Sequence, residues 1–320
     1  MPEDIAIGID IGGTKISFIA VNPNGDILQS YRLPTLVPDG TEAVFAQVVK
    51  GIHHIIGSIN RPVAGIGIGS PGHLNPHTGL VYKATNMYWE NINILDGIRQ
   101  HLNTDLPLFL QKDGNAAALG EKMFGAAKGQ TDFVLITIGT GLGGGAFVGD
   151  KIVEGAHYSG MEIGHMPLDA SGRMCICGMR GCPEMYVSGV GLLAGAKEYL
   201  SQFPESQLHD LDDLSTQAIL DAFAHDDALA KHLLDEMTDW LCSVMIACMG
   251  VLNPAVFVIG GGLGHALFTF LSTEVKQKLR KRTRREIHAE VPILESQVQD
   301  SAIGAACLVW HGLAHKTKDI

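Results

Sequence analysis

The chain has 320 residues, of which 46% are hydrophobic and 18% are charged, a composition typical of a globular protein with a substantial apolar core. This length favours two domains over one. The formal net charge of −11 argues against a general binder of nucleic acid or of anionic membranes, because a negative field repels phosphate. No apolar stretch could span a bilayer, and residues 1–4 lack the basic start of a signal peptide, so we expect a cytoplasmic protein.

Apolar runs and helical patterns alternate along the first part of the chain. Residues 5–10 and 16–21 are predicted strands on either side of a glycine turn at 11–15. Further elements are predicted as a helix over 42–56, a strand over 63–69, a helix after Asn93, a strand over 106–110 and a helix from Asp113 to about Phe124.

The second half repeats the same pattern of strand, glycine turn and strand, over 133–138, 139–145 and 146–148. Two distant copies suggest an internally duplicated fold with a site between its halves. Residues 155–191 resemble a loop, helices are predicted to about Leu252, and a buried strand at 256–259 precedes three glycines and another helix. The alternation of strands and helices predicts the α/β class. We expect one domain over 1–115 plus 302–320 and another over 116–301.

Glycines in such turns permit positive φ angles and let backbone N–H groups approach a phosphate closely. Gly139, Gly141 and Gly144 match the dinucleotide pattern G-x-G-x-x-G, but that interpretation requires a helix directly after the turn, and a strand pattern follows here. The Walker pattern is absent from the sequence. One such turn could be only a tight hairpin, whereas two matched turns favour phosphate binding.

Side chains of the first turn are candidates for nucleotide contacts. Asp10, at the end of a predicted strand, could hold Mg²⁺ through water, since hard cations take oxygen ligands, or could only cap the turn. Lys15 could contact a phosphate or be a solvated strand residue. These alternatives are equally open for Lys15, while the metal role is favoured for Asp10.

The segment Asp10-Ile11-Gly12-Gly13-Thr14-Lys15, the turn Gly139-Thr140-Gly141 and a cluster of cysteines together resemble the ROK family of repressors and kinases. The resemblance runs from about residue 5 to about residue 310. It implies an actin-like/hexokinase-like (ribonuclease H-like) α/β fold, in which two domains close over ATP and a sugar. It also implies a homodimer or homotetramer, since members of the family are often dimers or tetramers.

In this family the two glycine hairpins hold the phosphates, and the glycines at 260–262 lie near the adenosine. The nucleotide contacts that the resemblance implies come from Asp10, Gly12, Gly13, Thr14, Lys15, Gly139, Thr140, Gly141 and Gly261.

The cysteine cluster consists of Cys175, Cys177 and Cys182, which lie within eight residues of one another, and His165 precedes them. In a reducing compartment such clustering favours a metal over disulfides. Three thiolates and one imidazole form a closed tetrahedral set, so we predict a structural Zn²⁺. The resemblance to the family's zinc motif disfavours the alternative of buried or redox cysteines. Core positions are expected for the remaining cysteines, Cys242, Cys248 and Cys307.

The zinc ion would fix a loop that presents polar groups to the sugar. Glu162, His165 and Glu184 resemble the family's ligands for sugar hydroxyls, which must be paired because an unpaired polar group in a closed site is costly. His165 would bind zinc through one ring nitrogen and donate a hydrogen bond through the other. Gly72 and Asn86 resemble the family's sugar-side loops, although each could be only a turn residue.

Phosphoryl transfer to an alcohol needs a group that accepts the hydroxyl proton. Position alone makes Asp113 a helix cap, but the run from Asp113 to Glu121 resembles the family's catalytic segment, which implies a base directed at O6. Many sugar kinases of the family have Asn before this Asp, in contact with the sugar, where this chain has Lys112. Lysine donates but cannot accept, which puts glucose in doubt and leaves N-acetylated hexoses and allose open.

These residues predict an ATP-dependent sugar kinase. The rival of another class is a sugar-binding regulator without catalysis, since the family includes repressors with a DNA-binding domain before the first glycine turn. Only nine residues precede Asp10 here, which disfavours such a domain. The basic run over 276–285 could be a nucleic-acid patch, but the acidic charge of the chain favours a solvated helix end.

Overall fold

The computed structural model describes residues 4–210, 214–283, 288, 290–298 and 300–316. The chain divides into two units. Unit 1 contains Met1–Gln130, Gly145–Gly160 and Gln297–Ile320, and unit 2 contains Thr131–Gly144 and Met161–Ser296. Each unit is a mixture of strands and helices, which confirms the predicted α/β class.

Unit 1 is built on a five-stranded sheet in the order β3-β2-β1-β4-β8. Its strands are β1 Ile5–Ile11, β2 Lys15–Val21, β3 Ile27–Pro34, β4 Val63–Ser70 and β8 Leu108–Lys112. The isoleucine-rich strands β1 and β2 are almost wholly buried, whereas the edge strand β3 is mostly exposed. The predicted strands of the first glycine hairpin are therefore confirmed.

Strands β1, β4 and β8 are parallel, so their carboxyl ends lie at one edge of the sheet. Asp10 pairs with Gly69, and Gly69 pairs with Gln111, which places the three residues in one row across the sheet. Ligands of open α/β sheets bind outside the carboxyl ends of strands. A ligand site in unit 1 is therefore expected at this edge of the sheet.

The helices of unit 1 are α1 Thr41–Ser58, α2 Ile94–His101, α3 Asp113–Phe124 and α9 Ser301–Lys316. A small antiparallel sheet contains β5 His73–Leu74, β6 Leu80–Ala84 and β7 Trp89–Asn93. The predicted helices that begin after Asn93 and at Asp113 are confirmed. Asn93 caps α2 by accepting a hydrogen bond from the backbone of Asp96 (3.0 Å).

Helix α9 packs against β1 and β4 where those strands carry glycines. A Cβ built on Gly8 would lie 1.9 Å from the carbonyl oxygen of Ala302, and one on Gly67 would lie 1.8 Å from that of Ala305. Only the absence of a side chain allows this approach, so the C-terminal helix is an integral layer of unit 1.

The second sheet has the order β11-β10-β9-β12-β13. Its strands are β9 Phe133–Ile138, β10 Leu142–Val148, β11 Lys151–Ile152, β12 Val256–Gly260 and β13 Ile293–Glu295. Strands β9, β12 and β13 are parallel, as β1, β4 and β8 are in the first sheet. A glycine turn follows the middle strand of each sheet, so the two sheets share one topology, as the repeated sequence pattern predicts.

The helices of unit 2 are α4 Gly189–Tyr199, α5 Thr216–Ala224, α6 Ala228–Val251, α7 Gly262–Ala266 and α8 Phe268–Arg282. The basic run lies on and after α8, where Lys278 and Arg282 bind Asp239. Arg284 and Arg285, the last residues of this run, lie outside the described residues. Among those residues no helix is both long and apolar enough to span a membrane.

Strand β8 differs from its prediction, because it ends at Lys112 and not at Leu110. Gln111 and Lys112 are polar, yet both are buried and pair in register with Gly69 and Ser70 of β4. The apolar pattern misses them because tertiary hydrogen bonds, not hydrophobicity, hold their side chains.

Candidate active site

The first glycine turn joins β1 to β2 and is closed by a hydrogen bond from Gly12 N to Lys15 O (3.0 Å). Thr14 and Lys15 are exposed at its tip. Thr35, which is fully buried, donates its hydroxyl to Gly12 O (2.6 Å) and its backbone N–H to Thr14 O (3.1 Å). The turn is therefore fixed from behind while its tip faces solvent, as a phosphate-binding turn requires.

Asp10 is partly buried at the end of β1 and accepts a hydrogen bond from the hydroxyl of Ser301, the first residue of α9. Burial raises the pKa of Asp10 to about 6, against the effect of the Ser301 hydrogen bond. The carboxylates of Asp113 and Asp300 raise this pKa further, and Lys15 lowers it. A cation beside Asp10 would relieve this crowding of negative charge.

Asp113 is the first residue of α3, and its carboxylate is exposed at the carboxyl end of β8. Its Oδ1 accepts a hydrogen bond from Gly114 N (2.6 Å). The N-cap position belongs to Lys112, so Asp113 is in the first turn and not at the cap. A carboxylate at a helix N-terminus is stabilised by the helix dipole, which suits a proton acceptor that must be ionised.

Lys112 is 5% exposed, and its Nζ donates a hydrogen bond to Gly160 O (2.8 Å). Gly72 has a φ of 94° and would bring a Cβ to 2.5 Å from Lys83 O. Asn86 is exposed, and its Nδ2 would lie 3.5 Å from a Cβ on Gly13. Gly72 is therefore required by its own turn, and Asn86 lies beside the first glycine turn.

The second glycine turn lies in unit 2, between β9 and β10, and is closed by Gly139 N donating to Gly141 O (3.0 Å). The carbonyls of Gly139 and Thr140 accept hydrogen bonds from Gly189 and Val190, at the start of α4. Glu184 Oε2 accepts the N–H of Leu142 (3.0 Å). Helix α4 and Glu184 thus hold this turn, as Thr35 holds the first.

Gly261 follows β12 with a φ of 82°, and a Cβ there would lie 2.5 Å from Ile138 O. Only glycine satisfies both constraints. The residue therefore places the start of α7 directly against the end of β9, beside the second glycine turn.

The four predicted zinc ligands converge in unit 2. One ligand atom from each of His165, Cys175, Cys177 and Cys182 lies within 4.8 Å of the others. The sulfurs of Cys177 and Cys182 are 3.5 Å apart, and Cys175 Sγ is 3.6 Å from His165 Nδ1. Ligands about 2.3 Å from a tetrahedral Zn²⁺ are separated by roughly 3.8 Å, so this set fits the ion.

The pKa values of the thiols in this cluster are shifted by their surroundings. Burial, together with hydrogen bonds to the neighbouring thiols, raises the pKa of Cys182 to about 12. Burial likewise raises the pKa of Cys175. Burial also raises the pKa of Cys177, but hydrogen bonds from the Met179 backbone and the neighbouring thiols outweigh it, so this pKa is lowered. A bound cation would favour ionisation of the two raised thiols, Cys175 and Cys182.

The predicted sugar ligands of unit 2 lie next to this cluster. His165 turns Nδ1 toward Cys175 and Nε2 toward Glu184 Oε1, at 4.0 Å. Glu162 is exposed directly before the short 3-10 turn Ile163–His165. This orientation suits the double role expected of His165, with one nitrogen for the metal and the other for polar partners.

Sequence reasoning did not identify four residues beside the candidate site: Thr35, Ser301, Gln111 and Glu154. Glu154 accepts a hydrogen bond from the Gln111 amide (2.6 Å). Thr35 and Ser301 contact the first turn and Asp10 from distant parts of the chain, so no local pattern marks them. Gln111 does carry a signal, since it is a polar residue at the end of a buried strand.

The ROK family model matches residues 6–311. The glucokinase of Thermotoga maritima is 32% identical over 271 residues, which cover 83% of this chain and 84% of that enzyme. The xylose repressor of Caldicellulosiruptor bescii is 25% identical over 94% of this chain and 76% of its own length.

Among solved structures, a ROK family glucokinase from Streptomyces griseus in complex with glucose and AMPPNP has a TM-score of 0.81 at 28% identity. The match covers 96% of this chain and 98% of that one. The hexokinase-like fold is thereby confirmed, and the chain belongs to the ROK family over nearly its whole length.

Proposed function

We propose that this ATP-dependent sugar kinase transfers the γ-phosphoryl group of ATP to O6 of glucose or of a related hexose. The observation that carries the proposal is the placement of Asp113. Its exposed carboxylate lies at the carboxyl end of β8, at the same sheet edge as Asp10 and the first glycine turn. A proton acceptor and a phosphate-binding turn on one edge are what phosphoryl transfer to an alcohol needs.

Asp113 is the proposed base, which accepts the proton of the sugar hydroxyl as phosphate is transferred. The proposed sugar contacts are Gly72, Asn86, Lys112, Glu162, His165 and Glu184. The proposed nucleotide contacts are the two glycine turns, with Asp10, Gly12, Gly13, Thr14 and Lys15 in the first, Gly139, Thr140 and Gly141 in the second, and Gly261 near the adenosine.

Two metals complete the proposal. Mg²⁺ would neutralise the phosphates near Asp10, where crowded carboxylates favour a cation. Zn²⁺ would be held by His165 and the three clustered cysteines in a structural role, since four protein ligands leave no position for a reactive water. A homodimer or homotetramer is the proposed assembly, which size-exclusion chromatography with light scattering would measure.

The test is a coupled ADP-release assay with Mg-ATP and a panel of glucose, mannose, fructose, allose, N-acetylglucosamine and N-acetylmannosamine. We expect turnover on at least one hexose. The preferred sugar would show which pattern of hydroxyl groups is compatible with Lys112. Asp113→Asn should lower kcat by about 10³-fold or more and leave sugar binding by calorimetry within about twofold. Asp26→Asn, in an exposed turn of the same unit, is the control and should retain full activity.

A second candidate is a sugar-binding regulator without catalysis, which the similarity to a xylose repressor favours. Such a protein would bind a sugar from the panel and release no ADP. That result with the wild-type chain, zinc-loaded and folded, would overturn the kinase proposal.

A further inference from the structure

A loop over residues 154–160 in unit 1 is pinched at its two ends. Gly160 N donates to Glu154 O (2.7 Å), which closes the loop at a neck formed by these two residues. A Cβ on Gly160 would lie 2.5 Å from Val153 O, so the neck admits only glycine there. Gly155 and Tyr158 have φ angles of 74° and 59°, which the closed path of the loop requires.

Two consecutive residues at the end of β8 hold the two sides of this neck. Gln111 Nε2 donates to the carboxylate of Glu154 (2.6 Å), and Lys112 Nζ donates to the carbonyl of Gly160 (2.8 Å). Both donor side chains are buried, at 6% and 5% exposure, and both acceptor residues are partly buried, so these hydrogen bonds are partly shielded from water. Gln111 Oε1 also accepts the backbone N–H of Lys112 (2.8 Å), which couples the two arms.

The tip of the loop is held separately by the segment that follows Gly72. His73 Nε2 lies 2.6 Å from Ser159 Oγ and 3.0 Å from His157 O. The ring of His77 meets that of Tyr158 edge-on, with centroids 5.4 Å apart. The tip contacts are exposed, so the partly buried neck contacts are the stronger restraint.

We propose that Gln111 and Lys112 form a clamp on the neck of the 154–160 loop, and that this clamp is a positioning device for the sugar side of the reaction. Lys112 then acts on the choice of sugar through the Gly160 carbonyl, in addition to its proposed direct contact with the sugar. The inference rests on the proposed kinase function and assigns positioning roles to Gln111 and Glu154.

The clamp lies between the two chain segments that matter for the sugar. Asp113 directly follows Lys112, and Glu162 follows two residues after Gly160. A displacement at the neck would therefore move the proposed base Asp113, one peptide unit from Lys112. It would also move the proposed sugar ligand Glu162, two peptide units from Gly160. Misplacement of about 1 Å in a site of this kind is enough to weaken selection of the substrate.

A swap of Gln111 and Glu154 tests the clamp. Gln111→Glu places two carboxylates at hydrogen-bond distance. We expect the KM for the preferred sugar of the panel to rise about 10-fold, which corresponds to the loss of one charge-assisted hydrogen bond. The kcat and the KM for ATP should stay within about twofold. The double variant Gln111→Glu with Glu154→Gln restores an amide facing a carboxylate, and should recover most of the wild-type KM.

The Lys112 arm is tested in parallel. Lys112→Met keeps the length of the side chain without its donor, whereas Lys112→Arg keeps a donor. Because Lys112 is also a proposed sugar contact, this arm is measured at the neck of the loop and not through the KM. Chymotrypsin cleavage at Tyr158 gives a readout besides activity, since a loosened neck should increase the cleavage rate in Gln111→Glu and Lys112→Met. Circular dichroism and thermal melts confirm that each variant is folded.

The failures of the two proposals are distinguishable. If the wild-type chain turns over no sugar of the panel, the kinase function fails, while the cleavage rates still report on the clamp. If the wild type is active but Gln111→Glu changes neither the KM for the preferred sugar nor cleavage at Tyr158, the clamp is wrong. An increased KM that the swap does not recover would also overturn it, because the effect would then not pass through the Gln111–Glu154 bond.

Discussion

Asp10 and Asp113 share one edge of the unit 1 sheet, but their surroundings differ. Asp10 is partly buried and bonded to Ser301, so its pKa is raised to about 6, mainly by burial. Asp113 is exposed in the first turn of α3. The difference matches the proposed roles. The raised pKa of Asp10 suits a cation site, because a bound cation would stabilise the ionised carboxylate. The exposure of Asp113 suits a base, because the base must contact the substrate.

The raised pKa of Asp10 makes the apo-protein less stable as pH rises. A folded pKa near 6 against an unfolded pKa of 3.8 means that the native state binds more protons between these values. Stability is therefore greatest below about pH 4 as far as this group is concerned, and is lost as pH rises through about 6.

Asp10→Asn should remove this penalty. We expect the free energy of unfolding, measured with urea without Mg²⁺, to exceed that of the wild type by about 1–2 kcal/mol at pH 7.5. The difference should shrink toward zero at pH 4.5, while kinase activity is lost at all pH values. A stability difference of the same size at both pH values would contradict the assignment.

At the scale of structural elements, each glycine turn is fixed by a residue that lies outside the turn. Thr35 holds the first turn and Glu184 the second, in each case by hydrogen bonds to the turn backbone. In the cysteine loop, a bound metal would order the backbone in place of such hydrogen bonds.

Thr35→Val should loosen the first glycine turn. The substitution keeps the shape of the side chain but leaves Gly12 O without its 2.6 Å donor, at a cost of about 1–3 kcal/mol. We expect a several-fold higher KM for ATP with the KM for the sugar unchanged, measured by steady-state kinetics. Thr35→Ser retains the hydroxyl and serves as control; an equal defect in both variants would show that the hydroxyl is not responsible.

Cys177→Ser should abolish stoichiometric zinc. Removal of one of four ligands is expected to reduce bound Zn²⁺ from about one per chain to a small fraction, by atomic absorption, and to lower Tm by about 5 °C. Ile176→Ser is the matched control, because Ile176 lies in the same loop but is 79% exposed and carries no ligand. Retention of one zinc by Cys177→Ser would refute the ligand set.

On the scale of the whole molecule, the chain leaves unit 1 and returns to it. Helix α9, at the C-terminal end, packs on β1 and β4 through backbone contacts at Gly8 and Gly67. Ser301, the first residue of this helix, bonds to Asp10. The candidate site of unit 1 therefore depends on a segment almost 300 residues away in sequence from the turn it supports.

Gly67→Ala should displace α9. The new Cβ would overlap the Ala305 carbonyl oxygen at 1.8 Å, and we expect a loss of about 3 kcal/mol in the free energy of unfolding by urea. Gly57→Ala is the control, because a Cβ on this helical glycine meets nothing within 4 Å. The control should be neutral or more stable by about 0.5–1 kcal/mol. Equal effects would contradict the close approach of α9 to the sheet.

Local sequence patterns were sufficient to predict several elements of this protein. The two strand–turn–strand repeats, the helix that begins at Asp113 and the spacing of the cysteines are all visible in the sequence, because each depends on backbone rules or ligand chemistry within a few residues. The proposed zinc ligands could be predicted for this reason, since they span only 18 positions from His165 to Cys182.

Only the tertiary structure decided how these parts are supported. The sequence predicts Lys112 as a sugar contact, but only the structure shows that its ammonium also binds Gly160 O, 48 residues further on. Thr35, Glu154 and Ser301 likewise bond across the chain to residues that no periodicity connects with them. Sequence patterns report local conformation and burial, whereas hydrogen bonds between distant segments depend on where packing of the sheets and of α9 brings those segments together.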